Sequence, residues 1–388
     1  MKRLLVAIAV LGSIASSGQA QISCPAAKKP AVCTTLVPGT PLPYTNSAAP
    51  KILDMSKSTS YELVIIGHSE NRGYHTPLKA LIAKNPLVPG KTFTVYNDWI
   101  GGHEAFRWAT KGQRGYTAID NALKRQKSPM IVLALTSNNA SRPIKSASTN
   151  DANFNLFVQN LESIADHIHN GGKGAMMVYF SSHRYKPGNF TPSYLEKCAV
   201  GHMISVVEKK KKVYIKAGPE QHDLHWCCYP SCYARDLAHT NAAGDQLMAQ
   251  AWYNFLLREM TGAVMEPYGS GTVGSGGFVP VLSPAGGAPN VGNQGFSLAV
   301  SQARSNAALV YAIGGKKQPG PILTSLDLFV FAKTTGTGSG KGSHRLTVGL
   351  PNNASLVGVK AFVQAAVDDP AASLGLALTQ GLELVVGR

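Results

Sequence analysis

Acidic side chains are scarce in this chain of 388 residues: 21 Asp and Glu stand against 37 Lys and Arg, a formal net charge of +16 at neutral pH. Aromatic residues make up only 8% of it, and no segment after the first twenty residues is an unbroken apolar run of the roughly 18 residues that a membrane-spanning helix needs. No transmembrane anchor is therefore expected. The chain also lacks an internal repeat, a recognisable nucleic-acid motif and a basic stripe interleaved with aromatics, so the excess charge is not read as a nucleic-acid footprint. An acidic polymer or an anionic surface remains as what such charge attracts. What is present is globular composition, 44% hydrophobic and 15% charged, which excludes wholesale disorder. The length exceeds one ordinary domain of about 150 residues and suggests two.

The first twenty residues begin with Lys2 and Arg3, continue as an apolar run from Leu4 to Ile14 and end Gly18-Gln19-Ala20. A basic start, a short apolar stretch and small residues at the −3 and −1 positions predict an export signal, residues 1–20, cleaved after Ala20. The remainder is expected to be secreted or periplasmic. An oxidising compartment changes the reading of the six cysteines. Cys24 and Cys33 lie close together in a Pro-rich segment, residues 21–54, and are expected to pair; Cys198, Cys227, Cys228 and Cys232 can form two further bridges of undetermined connectivity. His222, His225, Cys227, Cys228 and Cys232 are also ligand-type residues. Without a C-x2-C pair, and in that compartment, disulfides are preferred and no metal is expected.

Composition divides the chain near Gly262. All four Trp and all six Cys precede Ala263, while 21 of the 39 Gly follow Gly262. Removal of Lys2 and Arg3 leaves +14; eight basic and five acidic residues follow Gly262, so +3 belongs to the back part and +11 to residues 21–262. A Gly/Ser/Pro linker is expected over 263–289, clearest between Tyr268 and Pro289. Beyond it, short apolar or alternating runs separated by Gly and Asn predict a C-terminal all-β sandwich over 290–388, ending in two strands around a Gln380-Gly381 turn. Residues 55–262 alternate differently. Candidate strands Glu62–Ile66, Phe93–Asn97, Met130–Leu135, Ala175–Phe180 and Val213–Lys216 are interleaved with 3.6-periodic stretches at Thr76–Ala83, Tyr116–Lys124, Phe154–Ile168 and Ala242–Met260. That alternation predicts an α/β domain with a parallel sheet and helices on both faces.

Functional groups in open α/β sheets gather past the carboxyl ends of strands. The first candidate strand is followed by Gly67-His68-Ser69-Glu70-Asn71, the second by Asp98-Trp99-Ile100-Gly101-Gly102, and the third by Thr136-Ser137-Asn138-Asn139; Asp236-Leu237-Ala238-His239 comes just before the last helix. Acyl transfer uses these residue types. Ser69 supplies a nucleophile, His239 a general base and Asp236 a carboxylate to orient the imidazole. The backbone N–H groups of Ser69 and Gly102 and the side-chain amide of Asn138 supply an oxyanion hole. Asp223 is the spare acid.

These blocks, in this order, resemble the SGNH hydrolase superfamily, also called GDSL-type esterases. The resemblance covers roughly residues 55–262, and DLAHTNAAGDQLMAQAWYNFL is its most specific part. The first block reads GHS where GDS is usual, closer to the G-Q-S-N of sialate O-acetylesterase-like members; the third reads TSNN where G-x-N-D is usual, and Thr240 holds a usual Pro position. The resemblance implies a flavodoxin-like three-layer α/β/α domain. It further implies a serine esterase acting on short acyl esters, acetyl foremost and on carbohydrate, through an acyl-enzyme that needs no metal and no organic cofactor. Its partner would be a small or polymeric ester substrate.

Each residue has a plainer use. Ser69 would equally cap a helix, Asn138 would make a turn, and His239 is one of ten histidines before residue 263. His68, Glu70, His103 and Glu104 flank the site or lie on the surface at helix starts, and Trp99 and Trp108 form an apolar wall or pack in the core. An ordinary α/β-hydrolase would need G-x-S-x-G, but position 71 is Asn. The non-enzyme alternative is an inactive exported protein that binds an acidic polymer.

Overall fold

Leu63–Ile66 forms an unbroken apolar run, and all four side chains are buried. A strand covered on both faces calls for such a run, and in the computed structural model it is the middle of β1 (Ser60–Gly67). The structure describes residues 53–69, 71–135, 152–181, 200, 203, 207, 210, 212–219, 232–235 and 239–388. They fall into two compact units, within Tyr44–Leu256 and Leu257–Arg388.

In the first unit β1 is joined by β2 (Thr92–Asn97), β3 (Met130–Leu135), β4 (Ala175–Ser181) and β5 (Ile215–Ala217) in a parallel sheet of order β2-β1-β3-β4-β5. This is the flavodoxin-like order, whose strand sequence reverses between β1 and β3; the crevice beyond that switch point is where such sheets place ligands. Helices α1 (Asn71–Lys84), α2 (Ala105–Ala109), α3 (Arg114–Arg125), α4 (Ala152–Asn170) and α5 (Ala242–Thr261) accompany the strands.

Alternation along the strands sends side chains to opposite faces. Val64, Ile66, Val132, Ala134, Val178 and Phe180 pack in one cluster with α2, α3 and α4. The α4 contribution is the stripe Phe157, Leu161, Ile164, Ala165 and Ile168, spaced as one face of a helix. Tyr179, of opposite parity, meets Phe255 of α5 edge-on with centroids 4.7 Å apart, and α1 buries Tyr74, Leu78 and Ile82. Each fully buried aliphatic side chain contributes ~1.5–3 kcal/mol. The expected layering of helices on both faces is thus observed.

Helix α1 starts five residues before the predicted Thr76. Pro77 suggests a first turn at that point, yet it lies inside the helix. The start is fixed instead by the Asn71 side-chain amide, which donates to Ile66 O at 3.1 Å.

The second unit is all-β. A six-stranded antiparallel sheet has the order β10 (Leu328–Lys333), β9 (Ala308–Gly314), β12 (Lys360–Asp368), β14 (Gly381–Val385) and β6 (Val264–Tyr268), with β13 (Leu376–Leu378) also on β12. A three-stranded sheet has the order β11 (Gly342–Thr347), β8 (Ser297–Ala303) and β7 (Val281–Ala285). Two expectations need correcting. The stretch 263–289, read as linker, carries β6 and β7. The two strands expected around Gln380-Gly381 are present but do not form a hairpin, because β13 and β14 both pair antiparallel with β12 instead of with each other. Thr379 and Gln380 form a buried step between them. The Gln364 side chain donates to Thr379 O at 2.8 Å, Thr379 Oγ1 accepts from Ala365 N–H at 2.9 Å, and Gln380 Nε2 donates to Leu282 O at 2.7 Å.

Among the described residues no helix is long and apolar enough to cross a membrane.

Candidate active site

Gly67 closes β1 with φ 127°, backbone that glycine adopts without steric cost. The chain turns there and enters α1 almost at once: Asn71 N–H donates to His68 O and Arg72 N–H to Ser69 O, each at 3.1 Å. This tight strand–turn–helix leaves Ser69 half-buried and His68 buried. Burial, and secondarily the charge of His239, push the His68 imidazole down to about 3, so it is neutral at physiological pH.

His239 arrives from the other end of the unit. Tyr233 and Thr240 form an antiparallel bridge, Ala234 N–H donates to His239 O at 2.9 Å, and Asn241 N–H donates to Cys232 O at 2.9 Å. The chain then enters α5, whose first turn is capped by Asn241 Oδ1, accepting from Ala243 N–H at 2.9 Å and Gly244 N–H at 3.2 Å. His239 is therefore held between a two-residue ladder and a capped helix. Its Nε2 lies 2.8 Å from Ser69 Oγ. With the tautomer in which Nδ1 carries the proton, the serine hydroxyl donates to Nε2, the polarity in which imidazole accepts the hydroxyl proton.

The loop after β2 continues the parallel pairing with β1, since Asp98 N–H donates to Ile65 O at 2.9 Å and Ile100 N–H to Gly67 O at 2.8 Å. Gly101 and Gly102 follow directly and are exposed. Gly102 has φ 67° and a Cβ there would meet nothing within 4 Å, so the requirement for glycine is conformational. Among the described residues no backbone carbonyl accepts from the N–H of Gly101 or Gly102, which leaves both as donors for a ligand.

Asn138, Asp236, Asp223 and Glu70 lie outside the described residues, as do His222, His225, Cys227 and Cys228. Cys232 is buried and disulfide-bonded. His103 is buried, its Nδ1 3.1 Å from Gly101 O. Of the two tryptophans considered for a wall, Trp108 is core, with no exposed surface. Trp99 is half-buried, 3.5 Å from where a Gly101 Cβ would be. Asp98 is taken up by Arg125, which reaches it at 2.6 and 3.3 Å and stacks 4.1 Å above the Tyr96 ring.

Sequence reasoning missed Asn241 and Tyr233, and noted Thr240 without the role it has here in fixing the histidine. The Asn two residues beyond His239, directly before a helical pattern, was a usable capping signal; the bridge had none.

No protein-family model matches the sequence, and no curated protein does. Solved structures are similar at low identity. An acetylxylan esterase from Geobacillus stearothermophilus is 14% identical over 50% of this chain and 93% of its own, with a TM-score of 0.37. A member of the lipolytic G-D-S-L family from Veillonella parvula is 15% identical over 49% of this chain and 95% of its own, with a TM-score of 0.34. A lipase/acylhydrolase from Enterococcus faecalis is 15% identical over 51% and 94%, with a TM-score of 0.35.

Proposed function

We propose that the protein is an exported serine esterase of SGNH type that hydrolyses short acyl esters, with acetyl groups on carbohydrate as the substrate class to test first. The observation that carries this reading is the 2.8 Å contact between Ser69 Oγ and His239 Nε2, made at the carboxyl end of β1 beside the switch point of the sheet. Helix capping by Ser69, the plainer reading, gives no reason for an imidazole from 170 residues away to face its hydroxyl.

In this reading His239 takes the Ser69 proton as Oγ attacks the ester carbonyl. The oxyanion is met by the N–H groups of Ser69 and Gly102 and by the Asn138 amide. Collapse releases the alcohol, which leaves with the proton from His239. Water, activated by the same imidazole, then frees the acid from Ser69. Asp236 orients His239 through Nδ1–H. The neutral, buried His68 adds no positive charge next to the imidazolium that forms. Carbohydrate is favoured by export and by the appended β unit, which we read as a sandwich module.

The test is labelling with a fluorophosphonate probe together with hydrolysis of a short-chain aryl ester, for the wild type, Ser69→Ala and His239→Ala. Labelling and turnover lost in both variants support the reading. A folded wild type that neither labels nor hydrolyses overturns it in favour of a binding protein for an acidic polymer.

A further inference from the structure

Asp245 touches each of the segments that carry Ser69 and His239. It lies in the first turn of α5 and its Oδ1 accepts from Thr240 Oγ1 at 2.6 Å; Thr240 is the residue after His239 and one half of the bridge to Tyr233. The same carboxylate lies against the backbone of α1 so closely that a Cβ on Gly73 would collide with it. Gly73 is one residue beyond Arg72, whose N–H bonds Ser69 O, and Arg72 is the charge that acts on Asp245. A glycine inside a helix costs ~0.5–1 kcal/mol relative to alanine. Here it makes room for the carboxylate. Both partners of the 2.8 Å pair thus hang from one side chain, on one side through a hydrogen bond to the neighbour of His239, on the other through contact with the helix that Ser69 starts.

We infer that Asp245 is a positioning residue, setting the distance and alignment between Ser69 Oγ and His239 Nε2 through Thr240 and Gly73. The inference rests on the esterase reading above. Removing the link leaves both reacting side chains present but loosens their geometry, which lowers kcat and leaves substrate binding nearly untouched. An acid in the first turn of a helix also favours the helix dipole, and that structural role depends on charge. The positioning role depends on an oxygen acceptor of the right length.

The experiment measures kcat, KM and melting temperature on an aryl ester for Thr240→Val, Thr240→Ser, Asp245→Ala and Asp245→Asn, with Ser69→Ala alongside. Thr240→Val and Asp245→Ala are expected to lose about tenfold to a hundredfold in kcat with KM within about twofold, the scale of small misplacements of reacting groups. Thr240→Ser and Asp245→Asn, which keep the donor or the acceptor, are expected to stay within about threefold of wild type, even where Asp245→Asn melts lower. If Asp245→Ala does not fold, the Thr240 pair decides. Wild-type kcat in Thr240→Val, or equal losses in Thr240→Val and Thr240→Ser, overturns the inference while the esterase reading stands. Turnover that survives Ser69→Ala overturns both.

Discussion

Glu266 of β6 and Glu383 of β14 sit directly opposite each other across an antiparallel strand pair. Like charges so placed repel, and two cations answer them: Arg258 is 3.7 Å from Glu266 and Lys317 2.5 Å from Glu383, with Lys317 also 4.7 Å above the Tyr268 ring. Burial first, and Glu383 behind it, push the Glu266 carboxyl up to about 7, against the pull of Arg258 and Lys317.

A carboxyl with a folded pKa above its unfolded value of 4.5 holds its proton more tightly when folded. Its contribution to stability is fully present below about 4.5 and is lost as pH rises through about 7. Glu266→Gln is expected to flatten the fall in melting temperature between pH 5 and pH 8. Equal slopes in the two proteins would contradict this.

His68 has the opposite sign. Its folded pKa of about 3 lies below the unfolded 6.5, so its contribution is present above about 6.5 and drains away as pH falls toward about 3. The urea midpoint is expected to drop less between pH 7 and pH 4.5 in His68→Gln than in wild type. If the variant drops as far, burial of the neutral imidazole is not the cause.

Gly101 and Gly102 separate cleanly by substitution. Alanine at 102 must adopt φ 67°, at a cost of ~1–2 kcal/mol. At 101 its Cβ only makes ordinary contact with Trp99. Urea denaturation of the two variants reads the difference, and a larger loss for Gly101→Ala would falsify the assignment of the strained position to Gly102.

Asp236→Asn, if Asp236 orients His239, is expected to lower turnover by about 10⁴-fold with the fold retained, the scale for loss of a triad carboxylate. Unchanged turnover moves the role to Asp223.

How much of this was legible in the sequence follows from burial. β3 was read to the residue because Met130–Leu135 is an apolar run in the middle of a sheet; α4 was found because its stripe is long and periodic, though it was read as Phe154–Ile168 and extends two residues further at each end. β6 and β7 were hidden by Pro267 and Pro284. Both are edge strands of their sheets, where a missing backbone donor is tolerated, so a proline that argues against a central strand does not argue against these. The five-residue α2 is too short for a period. Ser69 and His239, which the structure places 2.8 Å apart, could be singled out in the sequence because one follows the end of a recognisable strand and the other comes just before a recognisable helix. The dependence of Gly73 on Asp245 could not, because the two are 172 positions apart and nothing local marks the contact.

Among the described residues, the loop that leads to Gly101 and Gly102 is joined to β1 by two backbone hydrogen bonds, from Asp98 and Ile100, and it extends β2, the edge strand of the sheet. Edges open at lower free energy than cores. In the esterase reading, where Gly102 is an oxyanion donor, fraying there would displace that donor while the serine–histidine contact, anchored on β1 and on α5, stays closed. On warming, the amide protons of Asp98 and Ile100 should exchange first, and the proposed hydrolysis, if it uses Gly102, should fail before the fold does.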